Sequence, residues 1–318
     1  MPATTTANLA ALIPTELISG VLIDKMGDLS NLKSLCAVQD GFVSYEFASL
    51  APFVAAAAVE GAVLVPAAVT PVGTTITATP QEVPAIQLTR LALESQAGSP
   101  DWLRLSEGLG IALQNRANAQ ITDCFDDVYS GNRNSAQSTT GGGAPAAMSL
   151  ECLELAIEIA EGNNSVGQPF SKARRLAAVL HPMQIAALRA DVRGSSNYIG
   201  RNDIMSEIGG ALNTDGLMFA YYDTLVYSSV TVSAAAAPAG AAGAGVNLFT
   251  GIAGAGPGAY HRGGLFSIGE GVGFVQANAP NIRTQDEAMI VTGGVNLIAG
   301  MVTGAARISE QMVLIESL

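Results

Sequence analysis

The most regular pattern of apolar and polar positions lies between residues 99 and 128, which we predict to form one long helix. Its apolar positions recur every three or four residues, the spacing of a single buried helix face. These positions are Trp102, Leu105, Leu109, Ala112, Leu113, Ala117, Ile121, Cys124, Phe125 and Val128. Ser99 can cap the first turn, Pro100 suits its first position and Asp101 complements the helix dipole.

Two shorter helices are predicted further along the chain. Residues 149–161 repeat the helical spacing and are followed by Gly162, a residue type that terminates helices. Residues 183–192 repeat the spacing again, directly after Pro182, which favours the first turn of a helix. Both segments carry one apolar face, so we expect each to pack against a sheet or another helix.

Residues 42–94 change to the alternation that is typical of strands, beginning with the segment 42–47. Prolines at positions 52, 66, 71, 80 and 84 would exclude many central positions of a sheet. Residues 70–73 (TPVG) are interpreted as a turn. The region is therefore predicted to be a long β-hairpin that projects from the body. Because an isolated hairpin is marginal in water, we expect it to lie against another surface.

The N-terminal segment and the second half of the chain differ from residues 42–94 in composition and in hydrophobic pattern. Residues 1–41 are interpreted as an arm, whose amphipathic piece at 15–26 cannot bury its apolar side alone. Residues 171–290 are interpreted as a second lobe, residues 131–147 as a loop, and residues 233–258 as a surface loop or a close-packed contact. The strands expected in this half lie at 176–180, within 217–232, at 265–275 and near the C-terminus at 312–315.

Composition gives a separate reason to expect association with other protein. Of the 318 residues, 49% are hydrophobic and only 13% are charged, whereas about a quarter of an ordinary soluble chain is charged. So few charges cover a monomer poorly, and we expect much of the surface to contact protein. The net charge of −12 and the presence of only three lysines argue against a nucleic-acid-binding stripe. An acidic wall can nevertheless enclose DNA without sequence-specific binding.

Cysteine usage and hydropathy narrow the cellular setting. Cys36, Cys124 and Cys152 form neither a disulfide framework nor a CxxC motif, so buried thiols in a reducing compartment are expected. Residues 1–12 contain no basic segment, so we expect no secretory signal. Residues 288–306 carry no charge, but their glycines and polar residues favour a buried strand pair or an interface segment over a membrane helix. We therefore expect no membrane association.

The sequence contains no complete motif of a catalytic centre. The two histidines, His181 and His261, lack sequence partners for a metal or a triad, and a local hydrogen bond is the expected role of His181. The G-x-G-x-G runs at 254–258 and 269–273 lack the strand–turn–helix context of a nucleotide site. The aspartates within 123–127 lack the spacing of a calcium-binding loop. We expect no enzymatic activity, no cofactor and no metal.

Three segments, taken in order, carry a resemblance to a known family. They are the projecting segment that contains residues 58–61 (AVEG), the long helix at 99–128, and residues 180–192, which begin Leu-His-Pro and precede tyrosine-rich strands after Gly216. In this order the chain resembles the major capsid proteins of tailed bacteriophages. The three segments are similar to that family's E-loop, the spine helix of its peripheral domain, and its axial domain.

The resemblance implies an α+β fold with an N-terminal arm (1–41), an E-loop hairpin (42–94), a peripheral domain (95–170), an axial domain (171–290) and C-terminal strands that return to the body (291–318). It implies hexamers and pentamers that tile an icosahedral shell around double-stranded phage DNA, assembled in the host cytoplasm. Portal, scaffolding and cement proteins would be further partners. The residues expected to contact neighbouring subunits are Leu17, Val21, Phe42, Tyr45, Phe53, Glu60, Val65, Ile76, Tyr198 and Arg201.

Two alternatives stay open at this point. An encapsulin-like compartment shares the fold and would enclose a cargo enzyme in place of DNA. A secreted or surface adhesin would instead be a protein of another class, built from Ala/Gly-rich β-structure. Some capsid proteins crosslink through an E-loop lysine, and this chain has no lysine between Lys33 and Lys172. We therefore expect a non-covalent shell. We also predict that a chain lacking residues 52–84 folds but forms no closed shells.

Overall fold

The structure, a computed structural model, describes residues 32–50, 71–83, 86–89, 101–126, 135–137, 146–162, 175–194, 217–221, 224–232, 234–235, 260–287, 294–308 and 312–317. Within these ranges the chain forms a short 3-10 helix (Leu32–Leu35) and the α-helices α1 (Asp101–Asp126), α2 (Leu150–Gly162) and α3 (Pro182–Gly194). The strands are β1 (Ala37–Asp40), β2 (Ser44–Leu50), β3 (Pro71–Thr77), β4 (Thr79–Glu82), β5 (Ile86–Thr89), β6 (Ser135–Gln137), β7 (Leu176–Leu180), β8 (Leu217–Tyr221), β9 (Thr224–Ser228), β10 (Ala234–Ala235), β11 (Tyr260–Ser267), β12 (Val272–Glu287), β13 (Gly294–Arg307) and β14 (Val313–Ser317).

The three helices form where the sequence predicts them. α1 lies within the predicted range of 99–128, and the face predicted to be apolar is the one it buries, with Leu113 and Phe125 among its interior residues. The first turn of α2 is stabilised by side chains, since Cys152 N donates to Ser149 Oγ (3.3 Å) and Leu150 N donates to Asp191 Oδ2 (2.8 Å). The second bond also ties α2 to α3.

The first sheet contains β1, β12, β13 and β4 in that order, and β5 pairs with β13 beyond β4. β12 and β13 form a long antiparallel hairpin. β12 contains Pro280, which lacks the N–H that a regular ladder requires. The register shifts twice near this proline, between Gln276 and Asn278 and between Asn278 and Asn281. Gln276 pairs with Thr303 and Asn281 with Gly300, so β12 carries two extra residues there. Such bulges bend a strand and increase its local twist.

The second sheet has the order β6, β14, β11, β7, β9 and β8, with β10 added to the end of β11. Its centre is β7, a continuous apolar run in which every residue is buried. Successive residues of a strand face opposite sides: Ala177 and Val179 belong to the core with α1, whereas Ala178 and Leu180 belong to the core with α2 and α3. The second sheet is therefore covered by helices on both faces.

α1 connects the two sheets because its buried face packs against β13 and β12 of the first and β11 and β14 of the second. The close approach to β11 depends on Gly264, where an added Cβ would lie 2.6 Å from the Phe125 ring. Polar bonds fix the position of the helix. Gln120 Oε1 accepts from Thr303 Oγ1 (2.9 Å), and the buried Asn118 Oδ1 accepts from Leu32 N (3.3 Å).

Two local predictions are wrong. Residues 70–73 do not form a turn, because Pro71 starts β3 and Gly73 pairs with Ala48 of β2. The predicted loop at 131–147 contains β6, which pairs in parallel with β14. Both segments look like loops locally, and in both a partner strand distant in sequence determines the structure.

The predicted domain boundaries stay a prediction, but strand pairing joins segments that were assigned to different domains. Residues 37–40, assigned to the arm, pair in parallel with β12, and Leu32 and Leu35 are buried beside α1. β12 and β13, on either side of the boundary at residue 290, form one hairpin. β4 and β5, assigned to the projecting hairpin, both pair with β13. These strands therefore belong to the body of the described fold.

Candidate assembly surfaces

The described part of the predicted projecting hairpin is its base, where β2 pairs with β3 from Ser44↔Thr77 to Leu50↔Pro71. Alternate residues of a strand point to opposite faces, so the base has an inner and an outer face. On the inner face, Tyr45, Phe47 and Ile76 pack against the first sheet beside Val275. At its base, the predicted hairpin is therefore packed as a layer against the first sheet.

The inner face covers the side of the first sheet that is opposite α1. Val272 and Phe274 of β12 belong to the core with α1, whereas Val275 belongs to the cluster with Ile76. Gly273 allows the hairpin to approach, because a Cβ there would lie 2.6 Å from Ile76 Cδ1. Ile76 is only 3% exposed, so its side chain is held within its own subunit.

The outer face of the hairpin base is exposed and contains mostly small or polar residues. These residues are Ser44, Glu46, Ala48, Gly73, Thr75 and Thr77. Ser44 Oγ and Thr77 Oγ1 lie 3.5 Å apart across the two strands. Glu46 is the single charged residue on this described face. A second protein surface could approach this face closely and meet hydroxyl donors and acceptors.

A rigid apolar loop precedes the hairpin. Gly41 has a φ of 86°, a conformation that favours glycine. Backbone bonds hold both ends of the loop, from Gly41 N to Gln276 O (2.7 Å) and from Ala78 N to Val43 O (2.7 Å). Phe42 and Val43 are nevertheless 48% and 64% exposed. The Phe42 ring packs against Tyr45 at 5.4 Å between centroids, so the loop presents a pre-formed apolar surface.

The residues predicted to contact neighbouring subunits have different positions in the structure. Phe42 is exposed, and Tyr45 is half-buried beside it. Ile76 lies in the interior of the chain, so it is a core residue of the hairpin base. Seven of the predicted contact residues lie outside the described residues: Leu17, Val21, Phe53, Glu60, Val65, Tyr198 and Arg201. Val43 is exposed but was not among the residues predicted to contact neighbouring subunits. Only its position beside Phe42 in the sequence could have indicated it.

The two histidines meet at the start of α3, although 80 positions separate them in the chain. Their rings stack with centroids 3.7 Å apart and an interplanar angle of 8°. His181 Nδ1 accepts a hydrogen bond from Met183 N (3.2 Å), while Gln184 Oε1 accepts from His181 N (2.9 Å). This reciprocal arrangement is a capping box. The expected local hydrogen bond of His181 is therefore confirmed.

This histidine pair has no geometry for metal chemistry. Lone pairs of imidazole lie in the ring plane, so two parallel stacked rings cannot direct them at one ion. No group of three or more His, Cys, Asp or Glu side chains in the described ranges could hold a metal ion. Burial lowers the pKa of both rings, and the neighbouring His261 lowers the pKa of His181 further.

The cysteines and the described glycine run that the sequence analysis considered contribute to the core and to backbone structure. Cys36, Cys124 and Cys152 are buried free thiols, and burial raises the pKa of Cys152 to about 12, with Glu316 adding to the effect. Gly269 and Gly271 lie in the turn between β11 and β12, and Gly273 lies in β12 itself. The run at 254–258 lies outside the described residues. Across the described helices, none combines the length and hydropathy needed to span a membrane.

Comparison with known proteins gives similarity at the level of structure. No family model matches the chain, and no curated protein matches its sequence. The capsid of Ralstonia phage GP4 is 11% identical, covers 91% of this chain and 91% of its own, and has a TM-score of 0.58. The capsid of cyanophage P-SCSP1u is 13% identical, with 90% and 88% covered and a TM-score of 0.53.

A virus-like particle from Pyrococcus furiosus is similar to the same extent: 11% identical, 96% of this chain and 99% of that chain covered, TM-score 0.52. At such low identity the likeness shows the fold alone. The chain has the α+β fold of tailed-phage capsid proteins, as the sequence resemblance implied.

Proposed function

We propose that this chain is the major capsid protein of a tailed bacteriophage. It would self-assemble as hexamers and pentamers into an icosahedral shell around double-stranded phage DNA, without sequence-specific binding. The observation that carries the proposal is the extent of the structural match, since about nine-tenths of this chain and of the GP4 capsid chain correspond. A match that extends over both chains leaves little of the sequence to form an additional catalytic domain.

Two surfaces of the described fold suit contacts between subunits. The rigid loop with Phe42 and Val43 is pre-organised, so little conformational entropy is lost when a neighbour covers it. The outer face of the hairpin base has small side chains that allow a close approach. Contacts by the predicted arm (Leu17, Val21), the distal hairpin (Phe53, Glu60, Val65) and the second lobe (Tyr198, Arg201) complete the proposal. Many modest contacts per subunit would give a stable shell through multivalency.

The proposed shell is non-covalent, assembled in the host cytoplasm and incorporated into the virion. A lysine-based crosslink from the hairpin is excluded by composition, because lysine is absent between Lys33 and Lys172. When particles are boiled in detergent, the subunit should therefore run at its own mass of 32.4 kDa, without a ladder of crosslinked multiples. Portal, scaffolding and cement proteins are proposed as partners of the shell. They should co-purify with particles or procapsids and be separable from the subunit by denaturation.

The structure changes how the assembly test should be built. Deleting residues 52–84, as the sequence suggested, would remove Ile76 from its cluster and β4 from the first sheet. A better deletion replaces residues 51–70 with a loop of about four Asn/Gly residues, because Leu50 and Pro71 are paired and a short loop can join them without an N–H on Pro71. The full chain should form closed particles in negative-stain electron microscopy. The shortened chain should fold and form none.

The thermal unfolding temperature of the shortened chain is the matched control, because the described contacts of the hairpin base are kept. Closed particles of normal size from a folded shortened chain would contradict the proposed role of the hairpin. A full chain that stays monomeric at high concentration, and forms no particle with its native partners present, would contradict the capsid function itself.

The encapsulin-like alternative keeps one supporting observation, the similarity to the Pyrococcus furiosus particle. The contents of native particles separate the two functions. Nuclease-protected double-stranded DNA supports the phage capsid, whereas a single co-purifying enzyme in DNA-free shells supports the compartment. An adhesin has no support from the fold that is observed.

A further inference from the structure

We propose that His181 and His261 form an acid-sensitive latch that holds the start of α3 against the ends of β11 and β14 while both rings are neutral. The latch consists of these two rings and Gln184. The inference goes beyond the proposed capsid function and does not depend on it, because each contact of the latch lies within one chain. In an assembled shell, it would make the attachment of α3 to the second sheet respond to pH.

His181 must be neutral to cap α3. Its Nδ1 accepts from Met183 N (3.2 Å), and a protonated imidazole has a hydrogen on Nδ1, so two donors would face each other. A positive ring at this position also opposes the helix dipole, whose N-terminal end is positive. Protonation therefore replaces a stabilising cap with two unfavourable interactions.

His261 must be neutral for different reasons. Its ring lies 3.7 Å from that of His181, so two protonated rings would repel each other at contact distance. Its Nδ1 is buried and has no hydrogen-bond partner among the described residues. Adding a proton there would create a buried donor without an acceptor, which is costly. The stacked geometry is therefore favourable when both rings are neutral and unfavourable when both are protonated.

Gln184 connects the cap to the C-terminal strand. Its Oε1 accepts from His181 N (2.9 Å), and its Nε2 donates to His261 O (3.2 Å) and to Ser317 Oγ (2.9 Å). The side chain is fully buried, so it holds α3, β11 and β14 together. If the cap opens, Gln184 loses its position, and the first turn of α3 separates from both strands.

No described carboxylate is a cause of either lowered histidine pKa. On α2, which packs against α3 and β11, Glu151 and Glu158 are exposed and Glu154 accepts from Tyr221 Oη. On β11 and β14, Arg262 and Glu316 bind each other (3.2 Å). As the immediate chain neighbours of His261 and Ser317, their side chains point to the opposite face of the sheet. On α3, Arg189 and Asp191 lie roughly 12–15 Å along the helix from its start. Arg175 lies at the other end of β7, about 20 Å away. Among the described residues, no negative charge therefore offsets the positive charge that acid would place on the latch histidines.

The direction of the pH effect follows from these contacts. The folded pKa of each histidine lies below the ordinary value of about 6.5 that applies in the unfolded chain. The latch thus contributes fully above about pH 6.5 and is lost as the pH falls through the folded pKa. In that window, each histidine disfavours the closed state by up to about tenfold per pH unit.

The experiment uses the fact that the chain has only these two histidines. Deuterium exchange at imidazole Cε1, read by mass spectrometry on the full chain, gives both pKa values. Amide protection factors for residues 183–194 are measured at about pH 7.5 and about pH 5.5, one unit on either side of the ordinary value. Both midpoints should lie below about 6.5, and protection should fall on acidification by up to about tenfold for each histidine.

His181→Asn is the matched variant, because an asparagine Oδ1 can accept from Met183 N and asparagine is a strong helix cap that does not titrate. Once intrinsic exchange rates are divided out, its protection should fall clearly less than that of the wild type between the two pH values, because only His261 still titrates. His261→Phe keeps a stacked ring without charge and should show an intermediate fall. Equal acid-induced loss in wild type and His181→Asn, or wild-type midpoints at about 6.5, would overturn the latch.

Discussion

Replacing Ile76 with alanine tests whether the inner face of the hairpin base is held to the first sheet by apolar contacts. Ile76 is 3% exposed, and the other fully buried members of its cluster are Ala78 and Val275. Ile-to-Ala changes in cores destabilise by about 2–5 kcal/mol, depending on how well the cavity collapses. This cluster is small and near the surface, so the lower part of that range, about 2–3 kcal/mol, is expected.

The loss should be local, because the clusters that hold α1, α2 and α3 do not contain Ile76. An energy of about 2–3 kcal/mol raises the open fraction of the hairpin base roughly 30- to 150-fold. Amide exchange of residues 44–50 and 71–77 should accelerate by that factor, while exchange in α1 stays nearly unchanged. Negative-stain images should show fewer closed particles.

Two control variants make the result specific. Ile76→Val removes one methyl group and should destabilise by about 0.5–1.5 kcal/mol. Thr75→Ala changes the exposed outer face of the same strand and should change stability by less than about 0.5 kcal/mol. If Ile76→Ala left exchange in the hairpin base unchanged, or accelerated α1 equally, the hairpin base would not be a separately attached layer.

Three further predictions concern α1 and the second sheet. Gly264→Ala should destabilise the chain by about 1–3 kcal/mol, because the new Cβ would contact Phe125 in a filled core. Gly108→Ala, on the exposed side of α1 where an added Cβ meets nothing within 4 Å, should stabilise by up to about 1 kcal/mol. Glu316→Gln should destabilise by about 1.5–3 kcal/mol, because it removes the charge that pairs with the half-buried Arg262, and Arg262→Met combined with Glu316→Leu should recover much of this. Denaturant melts check each value, and a neutral Glu316→Gln would refute the last.

The helices could be predicted because their information is local. α1 repeats one apolar face over 26 residues, and few other structures are compatible with that period. Pro182 and Gly162 mark helix ends through backbone geometry that does not depend on distant residues. The buried strand β7 was predictable for a similar reason, since a short continuous apolar run suits a sheet covered on both faces.

Structure that depends on distant partners was not predictable. The residues at 70–73 have the composition of a turn, but pairing with β2 makes Pro71 and Gly73 part of a strand. Ser135–Gln137 has no strand pattern and is ordered by β14, almost 180 positions later. Ile76 was expected at a subunit contact because it lies in a projecting segment, whereas Val275 and Gly273 bury it. Local pattern cannot identify such partners.

The histidine stack shows the same limit at the level of a site. The sequence places His181 before a helix, and this position was enough to expect a local hydrogen bond. Nothing in the sequence brings His261 to it, because the contact requires β11 to lie beside β7 and the strand pairing that aligns Gly264 with Val179. The pair is a product of topology, so its pH response could be inferred only from the fold.

The low charge of the chain has a physical meaning at the hairpin base. Its outer face carries serine, threonine, alanine and glycine around a single Glu46, and the adjoining loop exposes Phe42 and Val43. A partner surface can cover such residues without desolvating many ions, which would be costly. Each contact gives a modest free energy, so a stable assembly needs several of them at once. A surface of this kind suits a subunit that is surrounded by copies of itself and is poorly suited to tight binding through one small interface.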